Sequence, residues 1–220
     1  MKVGVSDAGL PFTIVKDNQL VGFDIELARR FAAAQGREIQ FLNMEFSSLI
    51  AAVSSGKADM IISAIYVTDE RKKQIAFSEP YFQMATRVFA LKQNIATSPQ
   101  IGSDAISSDK SDAENSSHLL STLEDLKDKK IGVMLGSTHD AFAHKRYPQA
   151  EIFQYKSPSD VLLGVKAQKV DVGIYNSVSL KEILKTSPDI GVIGEPFEMM
   201  PVAFGFSKNN TELLQKFNEF

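Results

Sequence analysis

The sequence contains no cysteine. That removes disulfides, thiol catalysis, cysteine-ligated zinc and iron–sulfur clusters from consideration, while fitting any compartment. Histidine is scarce as well: His118, His139 and His144 are the whole supply. The last two stand five apart, which misaligns them on a helix, and no acid completes a ligand set, so no metal is expected. No apolar run is long enough to cross a bilayer. Net charge is only −3, with no large basic block, which argues against nucleic acid or an anionic membrane as the main partner. A phosphate-cradling glycine loop and a serine-hydrolase elbow are both missing. Gly132-Val133-Met134-Leu135-Gly136 is a strand flanked by glycines and a weak nucleotide signal. Carboxylates are plentiful, but no pair has a spacing that assigns acid and base roles. Neither catalytic residues nor a cofactor are therefore expected. Met1-Lys2 leads straight into a strand-like run at Val3, so no signal peptide is expected within the chain.

What is present points to a packed globular protein. Apolar residues make up 44% and charged residues 23% of 220. That length suits one large domain or two of about 100 residues each. The most informative residue is Arg71. Thr68-Asp69-Glu70-Arg71 reads as a helix start with Thr68 as N-cap and acids in the first turn. A cation there sits at the positive end of the helix dipole, where acids are preferred. Either Arg71 pairs with Asp69, Glu70 or a remote acid, or a carboxylate or phosphate meets its guanidinium fork and the free backbone N–H groups.

The chain also echoes itself. Ser47-Ser48-Leu49-Ile50-Ala51-Ala52-Val53 with Lys57-Ala58-Asp59-Met60 is matched, 112 residues on, by Ser159-Asp160-Val161-Leu162-Leu163-Gly164-Val165 with Lys169-Val170-Asp171-Val172. Both read as a serine-capped helix, a turn and a buried strand. Lys2-Val3-Gly4-Val5 is echoed by Lys130-Ile131-Gly132-Val133. The first half reads strand (3–5), hairpin-like excursion (12–22), helix (24–35), strand (39–43), helix (47–55) and strand (59–63). The second reads strand (130–135), helix (138–147), strand (151–154), helix (158–168) and strand (171–175). Such alternation predicts α/β lobes with mainly parallel sheets. Ligands of such sheets collect at the carboxyl ends of strands, here Ser6-Asp7, Ser63-Ala64, Gly136-Ser137-Thr138 and Tyr175-Asn176. Between the halves, about 97–118 is polar and loop-like. Val88–Leu91 reads as a strand leaving the first lobe. Pro196 and Pro201 punctuate a return, followed by a strand over 202–207, so two segments would form a hinge. The division expected is 1–91 plus 198–220 for lobe 1 and 92–197 for lobe 2. Thr211–Phe220 reads as a helix ending without a cap, as if the chain were shortened there.

At this point the motifs carry a resemblance. Gly22-Phe23-Asp24-Ile25-Glu26-Leu27-Ala28, the block from Asp59 through Phe82, and Gly136-Ser137-Thr138-His139-Asp140 resemble, in order and over nearly the whole chain, the family 3 solute-binding proteins, polar amino-acid receptors of ABC importers. The resemblance implies a two-lobed type II periplasmic-binding-protein fold that closes on one small molecule. It implies that Arg71 clamps a ligand carboxylate, that Ala64 and Tyr66 offer backbone groups beside it, and that Thr138 adds a hydroxyl or N–H. Asp7 would lie by the amino group or side chain, and Phe46 would stack on the ligand. Ser63, Ser137 and His139 fall in the same motifs and join the expected ligand set. Asn176 stands where the family usually has an acid for the ligand ammonium. Tyr66 replaces a common Ser or Thr, and Gly9 replaces an aromatic platform, so the site should be roomier near Gly9 and tighter near Tyr66. The expectation is a monomeric extracytoplasmic receptor, periplasmic or lipid-anchored, for a small carboxylate, foremost a polar amino acid, delivered to a membrane ABC permease. The alternatives are a sensor domain of a receptor or kinase, and a cyclohexadienyl dehydratase-like enzyme with Asp7 or Glu198 as its acid.

Overall fold

The computed structural model describes residues 1–96 and 119–220; the expected polar loop and His118 lie outside the described residues. The first sheet-forming stretch runs β1 (Lys2–Val5), a hairpin of β2 (Ile14–Lys16) and β3 (Gln19–Val21), α1 (Phe23–Ala34), β4 (Gln40–Asn43), a 3-10 turn (Phe46–Ser48), α2 (Leu49–Ser54), β5 (Met60–Ile61), α3 (Asp69–Gln74) and β6 (Ala76–Phe77). The second runs β7 (Phe82–Leu91), β8 (Lys130–Met134), α4 (Thr138–Arg146), β9 (Glu151–Tyr155), α5 (Pro158–Lys166), β10 (Val172–Asn176), α6 (Ser177–Thr186) and β11 (Ile190–Val202). The chain then returns to the first lobe through β12 (Gly205–Phe206) and α7 (Thr211–Glu219).

Two five-stranded sheets result, ordered β4-β1-β5-β12-β6 and β9-β8-β10-β7-β11. The plan is the same in both. A first strand is flanked by the next two in parallel, and the fourth position is an antiparallel strand. That fourth strand crosses from the other side of the hinge in each case: β12 follows the second lobe, and β7 follows the first. The echo in the sequence has a matching bond. The Lys2 N–H donates to the Asp59 carboxylate at 2.6 Å and the Asp59 N–H returns to the Lys2 carbonyl at 2.8 Å. Lys130 and Asp171 make the same reciprocal pair at 2.8 Å each way.

Each sheet is covered on both faces. In lobe 1, Val3, Val5, Met60 and Ile62 pack with Ile25 and Phe31 of α1 and with Phe204 and Phe206. Ile61 packs on the other side with Leu49, Val53 and Ile75. In lobe 2, alternation along β7 divides the strand between two cores. Val88 and Ala90 join Ile131, Val133 and Ile174, while Phe89 and Leu91 join Val161, Val165 and Leu180.

Several expectations need correction. The serine caps are shifted: α5 is capped by Ser157, whose hydroxyl accepts the Asp160 N–H at 3.1 Å, and Ser159 lies inside the helix. Pro158 suits the first helical position because its φ is already helical and it has no N–H to leave unpaired. Ser47 belongs to the 3-10 turn before α2. Strand β5 ends before Ser63, because Ser63 and Ala64 adopt positive φ of 115° and 49°. The helix α6 was not anticipated. Strand β7 pairs with β10 from Thr86 to Phe89, so the stretch assigned by sequence to the end of lobe 1 lies in the second sheet. Strand β11 is a single long strand. Register shifts on either side of Phe197 accommodate Pro196.

Candidate functional site

The carboxyl ends of β5, β8 and β10 face one another across the two lobes. Ala8, Phe46, Ser63, Ala64 and Tyr66 of the first lobe and Met134, Ser137, Thr138, His139, Tyr175 and Asn176 of the second line a cleft of about 20 Å³. That is room for about one water. Protein groups bridge the lobes around it. The Tyr175 hydroxyl donates to the Ala8 carbonyl, which also accepts from Ser179 Oγ at 3.4 Å. Arg71 Nη2 donates to the Gly136 carbonyl at 3.3 Å. Gly136 has φ of 74°, and a Cβ there would lie 3.0 Å from Ser47 of the facing lobe, so only glycine allows both the turn and the approach. The lobes are in contact.

Arg71 is placed from its own helix outward. The Thr68 hydroxyl caps α3 by accepting the Arg71 N–H at 3.2 Å. The guanidinium then turns into the protein, donates to the Tyr66 carbonyl at 2.8 Å and lies 5.5 Å from the Phe46 ring centre. Of the partners considered from sequence, Asp69 pairs with Lys72 and Glu70 with Lys73. Among the described residues no acid pairs with Arg71. The residue is only 9% exposed, and burial pulls its pKa down to about 10. A buried guanidinium answered only by carbonyl oxygens is electrostatically incomplete.

Beneath the cleft floor lies Asp24, fully buried at the start of α1. One carboxylate oxygen accepts the N–H groups of Ser63 at 3.0 Å and Ala64 at 2.8 Å; the other accepts the Tyr81 hydroxyl at 2.8 Å. These bonds hold the positive-φ turn in place. Burial raises the Asp24 pKa, partly offset by those donors. The Ser63 hydroxyl is committed too, exchanging bonds with the Ser6 N–H and carbonyl at 2.9 Å each.

The second lobe presents the starts of two helices. Ser137 caps α4 by accepting the Asp140 N–H at 3.1 Å, and the Asp140 carboxylate accepts the Gly136 N–H at 2.9 Å. Thr138 and His139 thereby sit in the first turn of α4. His139 is edge-on to Tyr66 and Tyr175, with ring centres 5.7 and 5.9 Å away. Burial, and secondarily the Arg71 charge, pushes its pKa down to about 3, so it is a neutral imidazole. Asn176 caps α6: its Oδ1 accepts the Ser179 N–H at 2.8 Å. Tyr66 Oη, Thr138 Oγ1 and both His139 ring nitrogens are buried with no hydrogen-bond partner. Buried polar atoms rarely lack partners, and four of them on one cleft is a concentration.

Of the residues singled out from sequence, Phe46, Ser63, Ala64, Tyr66, Ser137, Thr138, His139 and Asn176 share this cleft, and Arg71 lies beside it over the Phe46 ring, on an adjoining cavity that Ser137 and Thr138 also line. Asp7 does not face it. That carboxylate accepts the Gly9 N–H at 2.9 Å and lines a neighbouring cavity of about 400 Å³, with Gly9, Leu10, Pro158, Leu162 and Glu182 among its walls. The surroundings of Gly9 are thus open on one side and filled on the other, where a Cβ would come 3.0 Å from the Tyr175 hydroxyl. Tyr175, expected at a ligand-collecting strand end but not among the ligand residues, is a wall of the cleft. Its position at the end of a buried strand was the only signal available.

The whole chain, residues 1–220, matches the bacterial extracellular solute-binding proteins, family 3. It is 30% identical to ABC transporter arginine-binding protein 1 of Escherichia coli, over 98% of this chain and 81% of that protein. It is also 30% identical to a probable histidine-binding protein of Campylobacter jejuni, over 100% of this chain and 77% of the relative. Among solved structures, holo ArgBP from T. maritima superposes with a TM-score of 0.82 at 27% identity, covering 100% of this chain and 87% of that one. An ancestral arginine-binding protein bound to arginine gives 0.80 at 32% identity, covering 99% and 88%. With two lobes of matching plan meeting at a cleft, the chain belongs to the bacterial extracellular solute-binding proteins, family 3.

Proposed function

We propose that this chain is the receptor of an ABC importer and closes on a small carboxylate of amino-acid size, with Arg71 holding the carboxylate. The observation that carries this reading is the buried Arg71 guanidinium, unpaired by any acid among the described residues and flanked by Phe46 and the two lobe edges. A ligand carboxylate would meet the fork bidentately and supply the missing charge. Thr138, His139 and Tyr66 would complete its hydrogen bonds, with Phe46 against its apolar part. Relatives named for arginine, histidine and cystine favour an amino-acid skeleton.

Closure would rotate the lobes about β7 and β11, which pair from Phe82 and Val202 to Leu91 and Ile190. On this reading lobe 1 gives way to lobe 2 within β7, and the return lies at the end of β11. The closed surface would be presented, by a monomer outside the cytoplasmic membrane, to a membrane permease. A thermal-shift panel of small carboxylates and their carboxamides tests the reading. A carboxylate ligand at 100 times its dissociation constant should stabilise the protein by about 2.7 kcal/mol, and its carboxamide should not. Equal stabilisation by both would remove Arg71 from the role.

A further inference from the structure

The polar groups around the cleft are unequal in kind, and the inequality bears on the ligand's second polar group. This argument rests on the carboxylate reading of Arg71. No carboxylate lines the cleft among the described residues. The nearest acids are occupied or face elsewhere. Asp24 lies below the floor, with its oxygens taken by Ser63, Ala64 and Tyr81. Asp7 opens to the neighbouring cavity, and the exposed Glu198 lies with Lys145 on a second adjoining cavity that Arg71 and Thr138 also border, without pairing with Arg71.

Asn176 is the residue on which selectivity turns. Its Oδ1 already accepts the α6 cap bond, its NH₂ can donate, and the side chain brings no negative charge. Three nearby carbonyls are committed: those of Tyr66 and Gly136 to Arg71, and that of Ala8 to Tyr175 and Ser179. The hydroxyls of Tyr66 and Thr138 and a neutral His139 can donate or accept, but none brings a negative charge. The cleft is therefore bordered by one fixed positive charge and by neutral polar groups, with no anion in its lining among the described residues. A zwitterion whose carboxylate sat on Arg71 would bring its ammonium into a closed, positively charged site without a counter-charge, which is unfavourable.

We infer that Asn176 and a cleft lining without a counter-charge select a carboxylate with a neutral group, oxo or acylamino, at the α position in place of a free ammonium. Calorimetry on the full chain, using the standard L-amino acids with their Nα-acetyl and 2-oxo counterparts, tests this. The best-binding acetylated or oxo acid should bind about tenfold or more tighter than its parent amino acid, the scale of one charge-assisted bond. Asn176→Asp preserves the cap, since aspartate caps as well as asparagine. It should swing the preference by a similar factor toward the free amino acid. Tighter binding of the free amino acid by the native protein, still lost in Arg71→Ala, would overturn this inference and leave the carboxylate reading standing. Failure of every series to bind would overturn both.

Discussion

The two lobes are built to one plan and meet at one cleft, yet they bring opposite chemistry to it. Lobe 1 supplies formal charge: Arg71 at the cleft wall and Asp24 buried beneath the Ser63-Ala64 turn. Lobe 2 faces the cleft with neutral groups, the Ser137 and Asn176 caps, the Thr138 hydroxyl and a neutral imidazole, while its own buried acid, Asp140, is taken up by the Gly136 N–H and the Gln154 amide. At the other ends of the sheets the lobes do not differ, since Asp59 and Asp171 make the same bond to Lys2 and Lys130. The shared bond belongs to the fold; the divergence lies at the strand ends that face the cleft.

The largest effect expected of a single change is in lobe 1. Asp24→Ala would orphan two buried N–H groups and the Tyr81 hydroxyl, and should cost about 3 kcal/mol or more in urea unfolding. A loss below about 1 kcal/mol would mean that the turn holds without its carboxylate.

Next is the imidazole of lobe 2. The His139 pKa lies near 3 in the folded chain and near 6.5 when unfolded. Its folded value is depressed, so below the unfolded pKa the unfolded state takes up a proton that the folded state refuses. Stability is full above about pH 6.5 and falls as pH drops toward the folded value. Between pH 7 and pH 5 this single group should remove about 2 kcal/mol, measured as the difference between the native chain and His139→Gln. Parallel pH profiles for the two would contradict it.

Smaller effects follow. Asn176→Ala should cost about 1 kcal/mol through loss of the α6 cap, visible in thermal unfolding without ligand. Asp59→Ala and Asp171→Ala should each cost about 1 kcal/mol or less, and by similar amounts, because the bond each removes is the same. Unequal costs would break the parallel between the lobes.

Much of this was legible in the sequence, for local reasons. The Thr68 cap and the odd charge at Arg71 could be read because capping depends on residues three apart. The matched Asp59 and Asp171 revealed the repeated plan because the same bond fixes the same spacing. What stayed hidden depends on contacts distant in sequence. The α6 helix was missed because its cap, Asn176, read as a strand end. Strand β11 goes unread before residue 202, because Pro196 and Pro201 punctuate the stretch and their accommodation by shifts in register needs the partner strand β7. Asp7 looked like a cleft residue by strand position, but the carboxylate turns to the Gly9 N–H and a neighbouring cavity. That Tyr175 would span to Ala8 in the facing lobe is a fact of three-dimensional approach alone.

The central claim is that the Arg71 charge is completed by a ligand carboxylate. Calorimetric titration of Arg71→Ala with the tightest-binding carboxylate tests it most directly. Affinity should fall by about 1.5–3 kcal/mol or more, the scale of a lost charged hydrogen bond. Unchanged affinity in the variant would contradict the account.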